Sequence, residues 1–127
     1  MENLVKDFLA QKNFAVAGSF RNETKYAYRI FKTLKEKGYK VFPVNPKGGQ
    51  VEGAKCYSSI NDITENIDVV DIVTPPQVTE QIVKDCKNKG ITRVWMQPGA
   101  ESEAAIDFCK KNNIDVIHGM CLMLKAM

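Results

Sequence analysis

The chain has little of what most catalytic or membrane-spanning proteins show in sequence. It has one histidine, His118, and one tryptophan. No apolar run approaches the roughly 18–20 residues needed to cross a bilayer. The N-terminal stretch MENLVKDFLAQKNF is amphipathic and broken by charge, which is unlike a secretory leader. The four cysteines, Cys56, Cys86, Cys109 and Cys121, form no C-x-x-C pair, which argues against a zinc site and against a disulfide framework. No G-x-S-x-G or H-E-x-x-H motif is present. Asp68 and Asp71 flank or interrupt an apolar run without forming an evident acid–base pair.

What is present suits one compact α/β domain over residues 1–127. Apolar residues make up 44% of the chain, enough for a core and too many for a disordered segment. A net charge of +3 comes from lysines spread along the chain, which argues against a nucleic-acid surface. The expected setting is cytoplasmic, with no membrane contact.

Five short Val/Ile-rich runs recur: FAVAG (14–18), KVFPV (40–44), VVDIV (69–73), RVWMQ (93–97) and DVIHG (115–119). They read as strands buried on both faces of a parallel sheet, with AKCY (54–57) as a weaker sixth. Helical stripes lie between them. Ala27, Ile30, Phe31 and Leu34 share a face in 25–37; Val78, Ile82, Val83 and Cys86 share one in 77–89; Ala104, Ala105, Phe108 and Cys109 share one in 101–112. Cys86 and Cys109 thereby read as small buried hydrophobes. Leu4, Val5, Phe8 and Leu9 predict an extra helix at about 2–12. Three helix-to-strand junctions, KEKGYKVF, KNKGITRV and KKNNIDVI, place lysines in a last helical turn and then Gly38, Gly90 or Asn113, residue types that tolerate a left-handed terminus.

Strand–helix alternation predicts a Rossmann-like, doubly wound, mostly parallel sheet in three α/β/α layers. The expected strand order is 3-2-1-4-5-6, with 54–57 as the short third strand; a flavodoxin-like order is the alternative. A ligand cleft then falls between the loops starting at Gly18 and Thr74.

All five prolines lie in or just after strand candidates, four of them at the exits of strands two, four and five. They end pairing and stiffen the rim. The first turn, AGSFRNETK, has Gly18 but no G-x-G-x-x-G. Gly18 permits a tight turn, Ser19 offers a hydroxyl to a phosphate, and Arg21 and Lys25 add charge beside a helix start. Strand two ends VNPKGG, where a NAD site would commonly carry an Asp or Glu for the ribose. Asn45, Pro46 and Lys47 stand there instead. A cation without a carboxylate fits a phosphorylated ribose better than a bare one, and Gly48 and Gly49 allow close backbone approach. Strand four ends in Thr74, an N-cap or hydroxyl donor at the switch point, followed by the flat Pro75–Pro76 shelf. Strand five ends in Gln97, polar where a buried run emerges, then turns at Pro98-Gly99 into a helix capped near Ser102.

Taken together, AVAGSFRN, GYKVFPVNPKGG, DVVDIVTPP, VWMQPGAESEAA and DVIHGMCLM resemble the small stand-alone CoA-binding domain proteins. Those are similar to the N-terminal CoA-binding domain of the succinyl-CoA synthetase α subunit. The resemblance covers about residues 11–125. It implies that Gly18, Ser19 and Arg21 lie at a phosphate-binding loop. Val44, Asn45, Pro46 and Lys47 would hold the adenosine end, with Lys47 near the 3′-phosphate. Val73, Thr74 and Pro75 would line the cleft, Gln97 would stand at the next strand exit, and Cys121 matches a cysteine common near the end of such proteins. The synthetases use a phosphorylated histidine on a second domain, of which these residues hold no counterpart. The expected function is therefore non-catalytic binding of CoA or an acyl-CoA. The alternatives are a NAD(P)-binding redox domain and a CoA-binding subunit that completes an acyl-CoA ligase in trans. A protein partner or homo-oligomer is left open, and His118 reads as structural.

Overall fold

A computed structural model of the chain describes residues 2–126. In order, the elements are helix α1 (Glu2–Leu9), strand β1 (Asn13–Ala17), α2 (Tyr26–Glu36), β2 (Lys40–Val44), β3 (Gln50–Val51), β4 (Ala54–Lys55), a 3-10 turn at Ile60–Asp62, β5 (Val69–Ile72), α3 (Pro76–Lys89), β6 (Arg93–Met96), α4 (Glu103–Lys111), β7 (Asp115–Ile117) and α5 (Leu122–Ala126). Five strands form one sheet in the order β2-β1-β5-β6-β7, every neighbouring pair parallel. This is the Rossmann-like α/β architecture, and the five strong apolar runs are its strands; counted along the sheet they stand in the order 2-1-3-4-5, the flavodoxin-like alternative, in place of the expected 3-2-1-4-5-6.

The sixth run is not among them. Residues 54–57 are not a third strand of the sheet: β4 pairs antiparallel with β3, and only Tyr57 joins the large sheet, through a single parallel bridge to Val44. Pro43 supplies a reason. Its carbonyl accepts from the Tyr57 amide at 2.9 Å, so residue 43 faces outward from β2. An extended residue points its N–H and C=O the same way, and proline has no N–H to give. The outer edge of β2 therefore offers the Pro43 carbonyl and the Asn45 amide, which donates to Tyr57 at 2.9 Å, but no continuous ladder.

Alternation along the strands divides the core. Ala15, Val70, Ile72, Val94 and Met96 point toward α3 and α4. Phe14, Val16, Val69, Trp95 and Ile117 point toward α1, α2 and α5. Trp95 is wholly buried, meets Phe8 of α1 edge-on with ring centroids 6.1 Å apart, and donates its indole N–H to the Met120 carbonyl at 3.0 Å. Asp7 of α1 pairs with Arg93 of β6 at 2.8 Å. The guanidinium holds the Asp7 carboxyl below its ordinary range. These contacts fasten the predicted N-terminal helix, and α5 is a further helix that periodicity did not reveal.

Two helix ends follow their residue types closely. Gly90 closes α3 with φ +76°, and Asn113 takes φ +58° just after α4. Both are left-handed positions that side chains other than those of Gly and Asn adopt at a cost. Ser102 caps α4 by accepting the Ala105 amide at 3.0 Å. Helix α3 departs from its predicted stripe. Thr79, Val83 and Cys86 are buried, whereas Val78 is 43% exposed and Ile82 half-buried. Val78 faces a cavity, and Ile82 borders the same cavity while still packing against the core. No described helix is long and apolar enough to cross a membrane.

Candidate functional site

Parallel strands with both faces covered leave their carboxyl ends as the place where loops diverge, and the widest divergence is between β1 and β5, whose following helices go to opposite faces. Gly18 stands at that point, buried directly after β1. Its φ is not positive; what excludes a larger residue is space. A Cβ there would lie 2.6 Å from the Ala27 Cβ and 2.8 Å from the Val73 carbonyl oxygen. The glycine thus lets α2 and the end of β5 close on the first loop.

Asn45 ties the neighbouring exit to this one. Its side-chain N–H donates to the Gly18 carbonyl at 2.7 Å, and its side-chain oxygen accepts the Lys47 amide at 2.9 Å. The Gly48 amide donates to the Asn45 carbonyl at 2.9 Å. An aspartate in this position would present no donor to Gly18 and would set a carboxylate against its carbonyl. The absence of an acid at the end of β2 therefore has a local structural cause as well as a bearing on ligand choice.

Thr74 is not the N-cap of α3. Pro75 holds that position without a side-chain bond, and the Thr74 hydroxyl pairs with the buried Thr79 hydroxyl at 2.8 Å. Likewise, α2 begins at Tyr26 behind Lys25, with no side-chain cap on its first turn. The intervening loop is pinned by Asn22, whose side-chain oxygen accepts the Thr24 amide at 3.0 Å.

Around these loops lie three cavities. The first, about 370 Å³, is bordered by Gly18, Ser19, Val44, Asn45, Pro46, Val73, Thr74 and Pro75, and its far wall is Ser58–Ile60 with Val78, Ile82 and Asp85 of α3. The second, about 480 Å³, shares Ser19 and Asn45 with the first and adds Arg21 and Lys47. Both cations are exposed, and neither is in an ion pair among the described residues. A third, about 330 Å³, shares Val73, Thr74 and Pro75 and continues to Pro98, Gly99 and Ala100. Ten of the eleven residues singled out from sequence border the first two cavities. The arrangement offers hydroxyls, the side-chain amides of Asn45 and Gln50, apolar walls, two cations in the second cavity and one carboxylate, Asp85, on the far wall of the first, which is chemistry for holding a phosphorylated ligand with its phosphates in the second cavity and an apolar portion in the first.

Gln97 is the eleventh, and it lies elsewhere. It is wholly buried on the α2 side of the sheet, donating to Asp71 at 2.5 Å and accepting the Leu122 amide at 3.1 Å. The Tyr26 hydroxyl approaches its oxygen at 3.4 Å and also meets the Cys121 sulfur. Asp71, in the middle of β5, is wholly buried, and its second carboxylate oxygen has no partner. Burial pushes its carboxyl up to about 8, against the smaller opposing effect of the Gln97 hydrogen bond. Burial also raises the Tyr26 phenol well above its ordinary value, with Cys121 and Asp71 adding to it. His118 is half-buried and borders none of the three cavities described. Among the described residues, no group of three or more His, Cys, Asp or Glu is placed to hold a metal ion.

The far wall was not legible as a site in sequence. Ser58 and Ser59 carry no motif, and Val78 and Ile82 have the look of core positions. Asp71 did carry a signal: a lone acid inside VVDIV, a run buried on both faces.

Comparison with known proteins locates this arrangement. The family described as "CoA binding domain" matches residues 12–127. Over 119 residues the chain is 32% identical to an ADP-forming acetate–CoA ligase of Methanocaldococcus jannaschii, covering 87% of this chain and 17% of the ligase. It is 36% identical over 88 residues to the α subunit of ADP-forming acetate–CoA ligase II of Pyrococcus furiosus, covering 68% of this chain and 19% of that subunit. The chain thus spans about a fifth or less of these two curated relatives. A solved structure of a conserved hypothetical protein from Pyrococcus furiosus is similar at TM-score 0.86 and 37% identity, covering 91% of this chain and 99% of that one.

Proposed function

The chain belongs to the CoA-binding domain family, and from that premise we propose that it binds CoA or an acyl-CoA as a single non-catalytic unit, at the carboxyl ends of β1, β2 and β5. One observation carries the reading: two adjoining cavities share Ser19 and Asn45, one walled by apolar side chains and the other bearing Arg21 and Lys47. CoA has both characters in one molecule. Its 3′-phosphate and diphosphate match the cationic cavity, with Lys47 beside the former and the Gly18-Ser19-Arg21 loop beside the latter. Its adenine matches the apolar cavity between Val44, Val73 and the Val78–Ile82 flank. Gly18 and Asn45 act on the ligand through the loop they hold.

Calorimetric titration with CoA, dephospho-CoA, NAD and NADP tests this. CoA is expected to bind most tightly; binding of NAD or NADP with none of CoA would replace the reading with a redox one. Lys47→Ala is expected to weaken CoA about fivefold, corresponding to about 1 kcal/mol for one solvent-exposed ionic contact. The same change should leave dephospho-CoA within about twofold. Equal losses for the two ligands would remove Lys47 from the 3′-phosphate.

A second reading has an observation in its favour. The match to a ligase α subunit supports a role as the CoA-binding part of an acyl-CoA ligase completed in trans. Co-purification with a second protein that supplies the rest of the ligase is the expected result under that reading, and a partner-free protein in a native pulldown would count against it.

A further inference from the structure

A carboxyl without a counter-ion lies close to the loop that leads from β1 to α2. Asp71 pairs in register with Val16 of β1 and Trp95 of β6. Val70 and Ile72 point toward α3 and α4, so Asp71 points toward α2 and α5. Gly18 is two residues beyond Val16. At about 3.3 Å per residue and about 4.8 Å per strand it stands roughly 8 Å from Asp71. A phosphate held by the Gly18–Arg21 loop is then about 10 Å from the carboxyl.

The surroundings of Asp71 favour its neutral form. The side chain is wholly buried, one oxygen accepts from Gln97 at 2.5 Å, and the other has no partner. Its strand neighbours Val16 and Trp95 carry no charge. Helix α2 brings the Tyr26 hydroxyl, which approaches the Gln97 oxygen at 3.4 Å, and the turn before α5 brings Cys121, which meets Tyr26. The cation that acts on this phenol is Arg29 of α2, and it forms no salt bridge with Asp71 among the described residues. A carboxylate buried without a counter-ion takes up a proton instead, and burial accordingly pushes this one up to about 8.

We propose that Asp71 is a proton-binding site linked to the ligand cleft: the cleft holds a phosphorylated ligand most tightly while Asp71 is protonated, and ligand binding draws a proton onto it. This rests on the reading that the Gly18–Arg21 loop holds the CoA diphosphate. Linkage is reciprocal, so whatever factor the Asp71 charge takes from CoA affinity, bound CoA adds to the proton affinity of Asp71. A unit charge about 10 Å from a phosphate changes its affinity by about tenfold at the screening typical of a protein site. Well below pH 8 the carboxyl is neutral and the affinity is level. As pH rises through about 8 the carboxylate forms in the free protein and the affinity falls. About one pH unit higher the complex loses the proton too, and the fall ends.

Calorimetric titration with CoA across this range tests the inference. Affinity is expected to fall about fivefold between about pH 7 and 9. Asp71→Asn keeps the oxygen that accepts from Gln97 and cannot ionise, so its affinity should stay within about twofold over the same range. Cys121→Ser, which removes the neighbouring thiol, should keep the fall. Titration at about pH 8 in two buffers of different ionisation enthalpy should show about 0.4 proton taken up per CoA bound by the parent, and none by Asp71→Asn. Uptake separates Asp71 from the phosphates of the ligand, which release protons on meeting cations. Parallel profiles for parent and Asp71→Asn, no proton uptake by the parent, or loss of the fall in Cys121→Ser each overturn the inference while CoA binding stands. Failure of CoA to bind at any pH overturns the reading beneath it as well.

Discussion

Replacing Asp71 with asparagine is expected to stabilise the fold at neutral and alkaline pH and to flatten its pH dependence. In the folded protein the Asp71 carboxyl is pushed up to about 8 by burial, from an ordinary value of 3.8. The folded state therefore holds a proton that the unfolded chain releases. Below pH 4 both states are protonated and the group adds no pH-dependent cost. Between about pH 4 and 8 the folded state binds more protons, so stability falls as pH rises, by about 1.4 kcal/mol per pH unit. The accumulated cost is on the order of 4 kcal/mol at pH 7, and above about pH 8 it grows no further. Asparagine keeps the oxygen that accepts from Gln97 and has no proton to lose. Its N–H₂ meets the same unpartnered position as the second oxygen of Asp71. Urea midpoints from pH 4 to 9 measure the difference: the gap between variant and parent should widen from pH 4 to about 8. Parallel profiles would show that Asp71 is ionised and satisfied in the fold.

Gly18→Ala is the second large effect. The added methyl would lie 2.6 Å from the Ala27 Cβ and 2.8 Å from the Val73 carbonyl oxygen; one is a methyl with no rotamer to change and the other is backbone, so neither can turn aside. Overpacking of this kind costs about 1–3 kcal/mol, which for a chain of this length lowers Tm by roughly 4–12 °C. Relief requires the first loop to move away from β5, and that movement would also pull the Gly18 carbonyl from Asn45. CoA affinity is therefore expected to fall by about tenfold or more, in line with a loss of at least about 1.4 kcal/mol. An unchanged Tm would mean that the close approach does not constrain the loop.

Much of the fold was legible because its signals are local. A strand buried on both faces must be apolar throughout, so the five runs stood out, and left-handed helix ends demand Gly or Asn, so Gly90 and Asn113 marked their junctions. The third strand failed as a prediction because a four-residue run says nothing about its neighbour's edge. The missing N–H of Pro43 and the β3–β4 hairpin decided it. At the site, the exit residues of β1, β2 and β5 were legible because strand ends in open α/β sheets converge on one rim. Ser58, Ser59, Val78 and Ile82 were not, because their place on the cavity wall depends on how α3 and the 3-10 turn pack.

The sequence alone determined the layering of this protein, the strand exits that border its first two cavities, and the cation that stands where an acid is common. Each follows from a residue's own chemistry or from short periodicities. Only the tertiary structure decided that Gln97 turns into the sheet toward Asp71 while its neighbours on the rim face the cavities. It alone showed that Gly18 is required by the approach of Ala27 and Val73, and not by its backbone angle. Those outcomes depend on which atoms from distant segments arrive at the same place, and close packing leaves room for only one of the alternatives.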